Sequence, residues 1–219
     1  MNQLLDEFKV FFENEKKEQA VMYIMSKLQT KEIDVIDLYS NILTPSLNNI
    51  KCDLEDKRIC IWKEHVKTAI VRTIVECSYP YVLEKRNSMN LPRKGVAVVI
   101  CPPEEYHDLG ARMAADFFTI SGFDAIYVGS STPYQDVYYA IPMIRPSIIA
   151  VSVSNYYNLV AAKKMIAEMK GKASYPFKVV VGGYAFRDDT MNKLKSVGAD
   201  YYVNTYEDIL HLADREVNL

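Results

Sequence analysis

Hydrophobic positions follow two regimes along the chain, with the change near residue 90. Before it, apolar residues recur every three or four positions, the spacing of one face of an α-helix. Helical signals cover Leu4 to Phe12, Glu18 to Leu28, Val35 to Leu43 and a long run from Lys57 to Leu83. In the last run Ile59, Trp62, Val66, Ala69, Ile70, Thr73 and Cys77 form one stripe, predicted to face a core. Asp34 is placed to cap the third helix, and Pro45 to break or bend the chain after it. Four helices with short connections predict an antiparallel bundle over residues 1–86.

After the polar connector RNSMNLPRKG (residues 86–95) the pattern becomes short, continuous apolar runs: GVAVVI, DAIYVG, PSIIAVSVS, KVVVGG and ADYYVN. Segments of helical periodicity alternate with them, starting at Asp108, Gln135, Leu159, Asp189 and Glu207. Such alternation predicts right-handed crossovers and a five-stranded parallel sheet covered on both faces, an α/β domain over residues 87–219. Ligands of such sheets bind beyond the carboxyl ends of the strands, near the point where strand order reverses.

Composition narrows the functional classes. With 49% hydrophobic and 25% charged residues the chain is neither disordered nor a membrane protein. No window approaches the ~18 consecutive apolar residues of a membrane span. The N-terminus MNQLLDEFKVFF lacks the basic start and cleavage site of a signal peptide, so a cytoplasmic location is expected. The net charge of −2 argues against a basic nucleic-acid footprint. The charge is also even: residues 1–90 hold 13 of the 26 basic and 14 of the 28 acidic residues. The 4 cysteines, Cys52, Cys60, Cys77 and Cys101, show no CxxC spacing, so neither a disulfide framework nor a zinc knuckle is expected.

The candidate chemistry lies just past the first strand, in CPPEEYHDLGARM. His107 stands in the loop before a helix, between the carboxylates Glu105 and Asp108. An imidazole at a strand end beside an acid suits a metal ligand whose second nitrogen is fixed by that acid. Gly110 would let something bulky approach the backbone. Taken alone, His107 reads first as a surface residue at a helix start. Other strand ends change that reading. Ser152 and Ser154 close the third strand, and Gly182 and Gly183 close the fourth, where a flat ligand could lie against bare backbone.

With these residues in order, the chain resembles the cobalamin-binding domain shared by methionine synthase, corrinoid methyltransferase proteins and cobalamin-dependent light-sensing regulators. The resemblance rests on E-x-H-x-x-G at 105–110, S-x-S at 152–154 and GG at 182–183, with GFDAIYVGSSTP and VGADYYVNTYEDIL matching further text. It implies a flavodoxin-like (Rossmann-like) fold and base-off cobalamin, with His107 as the lower ligand of cobalt. Glu105 and Asp108 would tune or orient the imidazole, and Gly110 would give the corrin room. Ser152, Ser154, Gly182 and Gly183 would line the slot for the nucleotide tail. Three positions depart from the family pattern: Glu105 replaces Asp, Ser154 replaces Leu and Tyr156 replaces Thr. The E-x-H form is similar to the light sensors, and the other two changes put the shape of the slot in doubt.

In that family a helical bundle covers the upper face of the cofactor. Glu64-His65 resembles the Glu-His pair of the light sensors, which implies that Trp62 and His65 cap the upper side. The competing reading places Trp62 in the bundle core and gives His65 an ordinary buried hydrogen bond. The sensors' Trp position holds Leu54 here, and the histidine that follows it is replaced by Glu55. His211 is expected at the surface.

Two functions follow from the resemblance. One is a sensor or regulator that reports adenosylcobalamin state or light to a protein partner. DNA binding is not expected, because no winged-helix region precedes the bundle. The other is a corrinoid subunit that carries a methyl group, as methylcobalamin, between methyltransferase partners. The E-x-H form and the Glu64-His65 pair favour the sensor, and pure cofactor storage shares every feature. The homo-oligomeric state is left open. No Ser/His/Asp set, P-loop or HExxH is present, so cobalt would carry any chemistry.

Overall fold

A computed structural model describes residues 2–51, 55 and 57–216; Cys52 and Leu54 lie outside the described residues. The chain divides into two compact units, Met1–Ser88 and Met89–Leu219.

The first unit is helical. It comprises α1 (Asn2–Glu13), α2 (Lys17–Gln29), α3 (Val35–Asp37), a π-helical turn (Leu38–Leu43), α4 (Thr44–Asn48), α5 (Lys57–Cys77) and α6 (Tyr79–Met89). Asp34 caps α3 as expected, its carboxylate accepting the Asp37 N–H at 2.9 Å. Pro45 does not end the helical path. Its ring crowds the carbonyl four residues back, and the wider π turn precedes it while the Ser46 hydroxyl takes up the Ile42 carbonyl at 2.7 Å. The predicted run from Lys57 to Leu83 is two helices, broken at Ser78. Pro80 starts α6 instead of continuing α5, because a missing N–H is tolerated in a first turn.

The buried face of α5 also differs from the predicted stripe. Lys67, Ile70, Val71, Ile74 and Val75 are buried, packed towards α2 and α1, and of the predicted set only Ile70 is among them. The denser apolar quartet 70, 71, 74, 75 fixes the helix rotation, which turns Ile59 and Trp62 outward. Lys67 pairs with Glu13 and lies over the Phe12 ring, so its charge is neutralised where it is buried. Cys77 and Cys101 are free thiols, whereas Cys60 takes part in a disulfide that the spacing did not anticipate.

The second unit is the expected parallel sheet. Its strands are β1 (Val96–Ile100), β2 (Asp124–Gly129), β3 (Ile148–Ser152), β4 (Lys178–Gly182) and β5 (Tyr201–Tyr202), in the order β2-β1-β3-β4-β5. Between them run α7 (Leu109–Ile120), α8 (Tyr134–Ile144), α9 (Leu159–Lys172) and α10 (Thr190–Val197), and α11 (Tyr206–Glu216) follows β5. Strand residues alternate between two cores. Ala97, Val99, Ile148, Ala150 and Val180 pack with Ala111, Ala115, Phe118 and Leu212. Ile100, Ile149, Val151, Val179 and Val181 pack with Ile141, Ala162, Met165 and Met169. Helices therefore cover both faces, which is why the strands read as continuous apolar runs. Strand order reverses between β1 and β3, and the loops leaving their carboxyl ends carry residues 101–108 and 153–158. Among the described residues no helix is long and apolar enough to cross a membrane.

Candidate functional site

The loop after β1 is short and sharply folded. Cys101 N–H continues the ladder onto the Gly129 carbonyl at 2.9 Å. The Glu105 N–H then turns back on the Pro102 carbonyl at 3.2 Å, with Glu104 between them at φ 64°. That turn buries the Glu105 side chain completely, while His107 two residues on keeps 61% of its side chain exposed.

Glu105 organises the site. Its Oε1 accepts the His107 backbone N–H at 3.0 Å and faces the ring Nδ1 at 2.7 Å. Its Oε2 accepts the backbone N–H groups of Ser154 and Asn155, at 2.9 and 2.8 Å, and the Asn158 carboxamide at 3.1 Å. Burial alone would raise its pKa. The hydrogen bonds from Asn155, His107 and Asn158 outweigh it and hold the carboxyl below the ordinary glutamate range. A carboxylate at Nδ1 selects the tautomer that protonates Nδ1 and leaves the lone pair on Nε2. Nε2 has no partner among the described residues. Nearby, burial first and then the charges of Asp108 and Glu105 push the Cys101 thiol up to about 12, so it stays a neutral wall behind the loop.

The other expected residues occupy distinct places. Asp108 turns to the β2 side, where its Oδ2 accepts the Tyr127 hydroxyl at 3.0 Å and the Ser130 hydroxyl at 3.4 Å. Glu105 alone of the two flanking acids holds the ring. Gly110 has open space where a Cβ would stand, so the chain's own packing does not require glycine there. Gly182 and Gly183 are different. A Cβ at Gly182 would come within 2.8 Å of the Val203 carbonyl, and one at Gly183 (φ 101°) would collide with the Val153 carbonyl. Both glycines serve the backbone packing of the strand ends. Ser152 is half-buried opposite Gly182 across the β3–β4 ladder, and Ser154 reaches the site through its main chain. Trp62, 69% exposed, and His65 both lie on the outer face of α5, so Trp62 is not a core residue. Glu55 and His211 are exposed.

Asn155, Asn158, Tyr127 and Ser130 were not anticipated. Asparagines just before a predicted helix carry the signal of an ordinary cap, and Tyr127 that of any strand aromatic. What they do depends on strand order.

The donor set suits a metal already held by another group. Among the described residues no cluster of three His, Cys, Asp or Glu side chains could hold a free ion. A single oriented imidazole on an exposed edge would add one ligand to a metal whose other ligands come from a bound group, and the cobalt of a corrin ring is a metal of that kind.

Known proteins resemble this chain in sequence and in fold. Residues 95–211 match the B12 binding domain family. The chain is 24% identical over 152 residues to the HTH-type transcriptional repressor CarA of Myxococcus xanthus, covering 68% of this chain and 49% of that protein. It thus spans about half the length of that curated relative. The Methanosarcina barkeri monomethylamine corrinoid protein superposes with a TM-score of 0.81 at 14% identity, covering 97% of both chains. A cobalamin-binding protein from Desulfitobacterium hafniense gives 0.53 at 15% identity, over 97% of this chain and 98% of that one. The methanol:cobalamin methyltransferase complex of Methanosarcina barkeri gives 0.53 at 17%, over 99% and 80%. The fold is that of corrinoid proteins, and because the family match covers more than half of the chain, this protein belongs to the B12-binding domain family.

Proposed function

We propose that the protein is a corrinoid carrier, holding cobalamin base-off over His107 and presenting it to methyltransferase partners in the cytoplasm. The observation that carries this reading is the His107 ring, fixed by a buried carboxylate at Nδ1 and unengaged at Nε2 on the ligand edge of the sheet. Bound cobalamin supplies the metal that accepts and releases a methyl group. His107 would hold its cobalt, Glu105 orients the His107 ring, and the space at Gly110 would admit the macrocycle. Ser152, beside Gly182 and Gly183, lines the tail side, and Ser154 contributes its N–H to Glu105. Trp62 and His65 serve the upper side, an assignment that requires the exposed position they have on α5.

Similarity along nearly all of the monomethylamine corrinoid protein supports the carrier over the sensor expected from the E-x-H form. The sensor reading keeps one specific support, the resemblance of 152 residues to the CarA repressor. One experiment separates them. A carrier binds methylcobalamin and loses the methyl group to a thiol when a partner methyltransferase is added, with an elution volume indifferent to light. A sensor binds adenosylcobalamin preferentially and changes its elution volume or partner affinity on illumination.

A further inference from the structure

We propose that Tyr156 and Tyr184 seat the rim of the corrin, each ring held ready by a cation; the proposal rests on the cobalamin reading of the site given above. Both stand in single 3-10 turns that leave the carboxyl ends of neighbouring strands, Tyr156–Asn158 after β3 and Tyr184–Phe186 after β4. The turns pack on each other, and the Ala185 N–H donates to the Val153 carbonyl at 3.1 Å. Tyr156 is 62% exposed and Tyr184 61%. A cation nevertheless lies over each ring. Lys193 Nζ is 5.3 Å from the centroid of Tyr156 and donates to the Ala185 carbonyl at 2.9 Å. The Arg187 guanidinium is 4.6 Å from the centroid of Tyr184. Tyr157 adds an edge-on contact to Tyr156, with centroids 6.2 Å apart.

Single exposed aromatics are ordinary on a protein surface. These two differ in being held. The cation fixes one orientation of an exposed ring, so little side-chain freedom is left to lose when a ligand arrives. Their place names that ligand. Tyr156 directly follows Asn155, whose N–H reaches the same Glu105 carboxylate that faces the His107 ring. One carboxylate therefore separates the Tyr156 turn from the imidazole. A metal macrocycle carried on a single imidazole extends sideways over the loops beside it. The rim of a corrin mixes methyl groups with primary amides. A phenol matches both, offering a ring face to the methyls and a hydroxyl that donates to or accepts from an amide.

The test titrates the full chain with cobinamide, which has the corrin without the nucleotide tail, and with cobalamin, following visible absorption. Both rings are exposed, so Tyr156→Ala and Tyr184→Ala leave the fold intact. Each should weaken both ligands by the same factor, about 10-fold. Lys193→Met keeps the stem, removes the charge over Tyr156 and should weaken both about 3-fold. Tyr139→Ala, at an exposed tyrosine of α8, should change neither. Nitration of the wild-type chain by tetranitromethane, read by peptide mass spectrometry, should be suppressed by cobinamide at Tyr156 and Tyr184 and not at Tyr139. A loss confined to cobalamin would put the rings against the tail, and unchanged binding of both ligands would leave this surface to a protein partner. Either result overturns the proposal while the cobalamin reading stands. A wild-type chain that binds neither ligand would overturn the cobalamin reading itself, and the seat with it.

Discussion

The Tyr127 hydroxyl donates to Asp108 Oδ2 at 3.0 Å, across 19 residues of chain. It ties the residue after His107 to the end of β2. Glu105, two residues before His107, is tied to the loop after β3 by three donors. The histidine is thus held from both sides of β1, and each tether makes its own prediction.

Tyr127→Phe removes the β2 tether while keeping the ring. It should cost about 1.5–3 kcal/mol, the range for a hydrogen bond to a charged group. Urea unfolding measures it, and a change under 0.5 kcal/mol would mean that the bond does not hold the loop.

His107→Ala should leave the apo fold intact, because the ring is largely exposed. Bound cobalamin should then lose its His-on absorption. A wild-type spectrum from the folded variant would assign the lower ligand elsewhere.

Glycine variants separate ligand space from backbone need. Gly110→Ala lies in the first turn of α7 with open space around the new Cβ. It should stabilise the protein by about 0.5–1 kcal/mol and weaken cobalamin binding. Gly183→Ala should lower the melting temperature with or without cofactor, since φ 101° and the Val153 carbonyl both oppose a side chain. Equal behaviour of the two variants would refute this division.

Glu105 sets a pH dependence. Its carboxyl ionises more readily folded than unfolded, because the hydrogen bonds outweigh burial. The stability it contributes is therefore fully present above the unfolded pKa and is lost as pH falls through the lower folded value. Glu105→Gln should be less stable than wild type at neutral pH, and the gap should narrow as the solution is acidified below about pH 4. Urea midpoints across that range check it; a gap that widens in acid would contradict the sign.

Trp62 is the chain's single tryptophan and is exposed. Its emission in the apo protein should be that of a solvated indole, and Trp62→Ala should change stability by less than about 0.5 kcal/mol. Quenching on addition of adenosylcobalamin would support its place at the cofactor's upper side; unquenched emission at saturation would remove it.

Local pattern by itself determined the five strands and their helices, because strands buried on both faces must be apolar throughout, and each run shows that without reference to its neighbours. It also determined the candidate edge, since ligand loops leave the carboxyl ends of parallel strands and His107 follows the first. Rotation about the helix axis was harder to read. On α5 two overlapping apolar stripes compete, and packing against α2 selected the one through Val71 and Ile74, leaving Trp62 outside. The break at Ser78 was visible only as Pro80, whose meaning depends on whether it sits inside a helix or begins one. The partners of Glu105 and Asp108 lay beyond any local reading. Ser154, Asn155 and Asn158 come from one neighbour of β1, and Tyr127 and Ser130 from the other. They meet only because β1 is flanked by β2 and β3. Strand order is a property of the folded sheet, and it decided which of two acids beside His107 grips the ring.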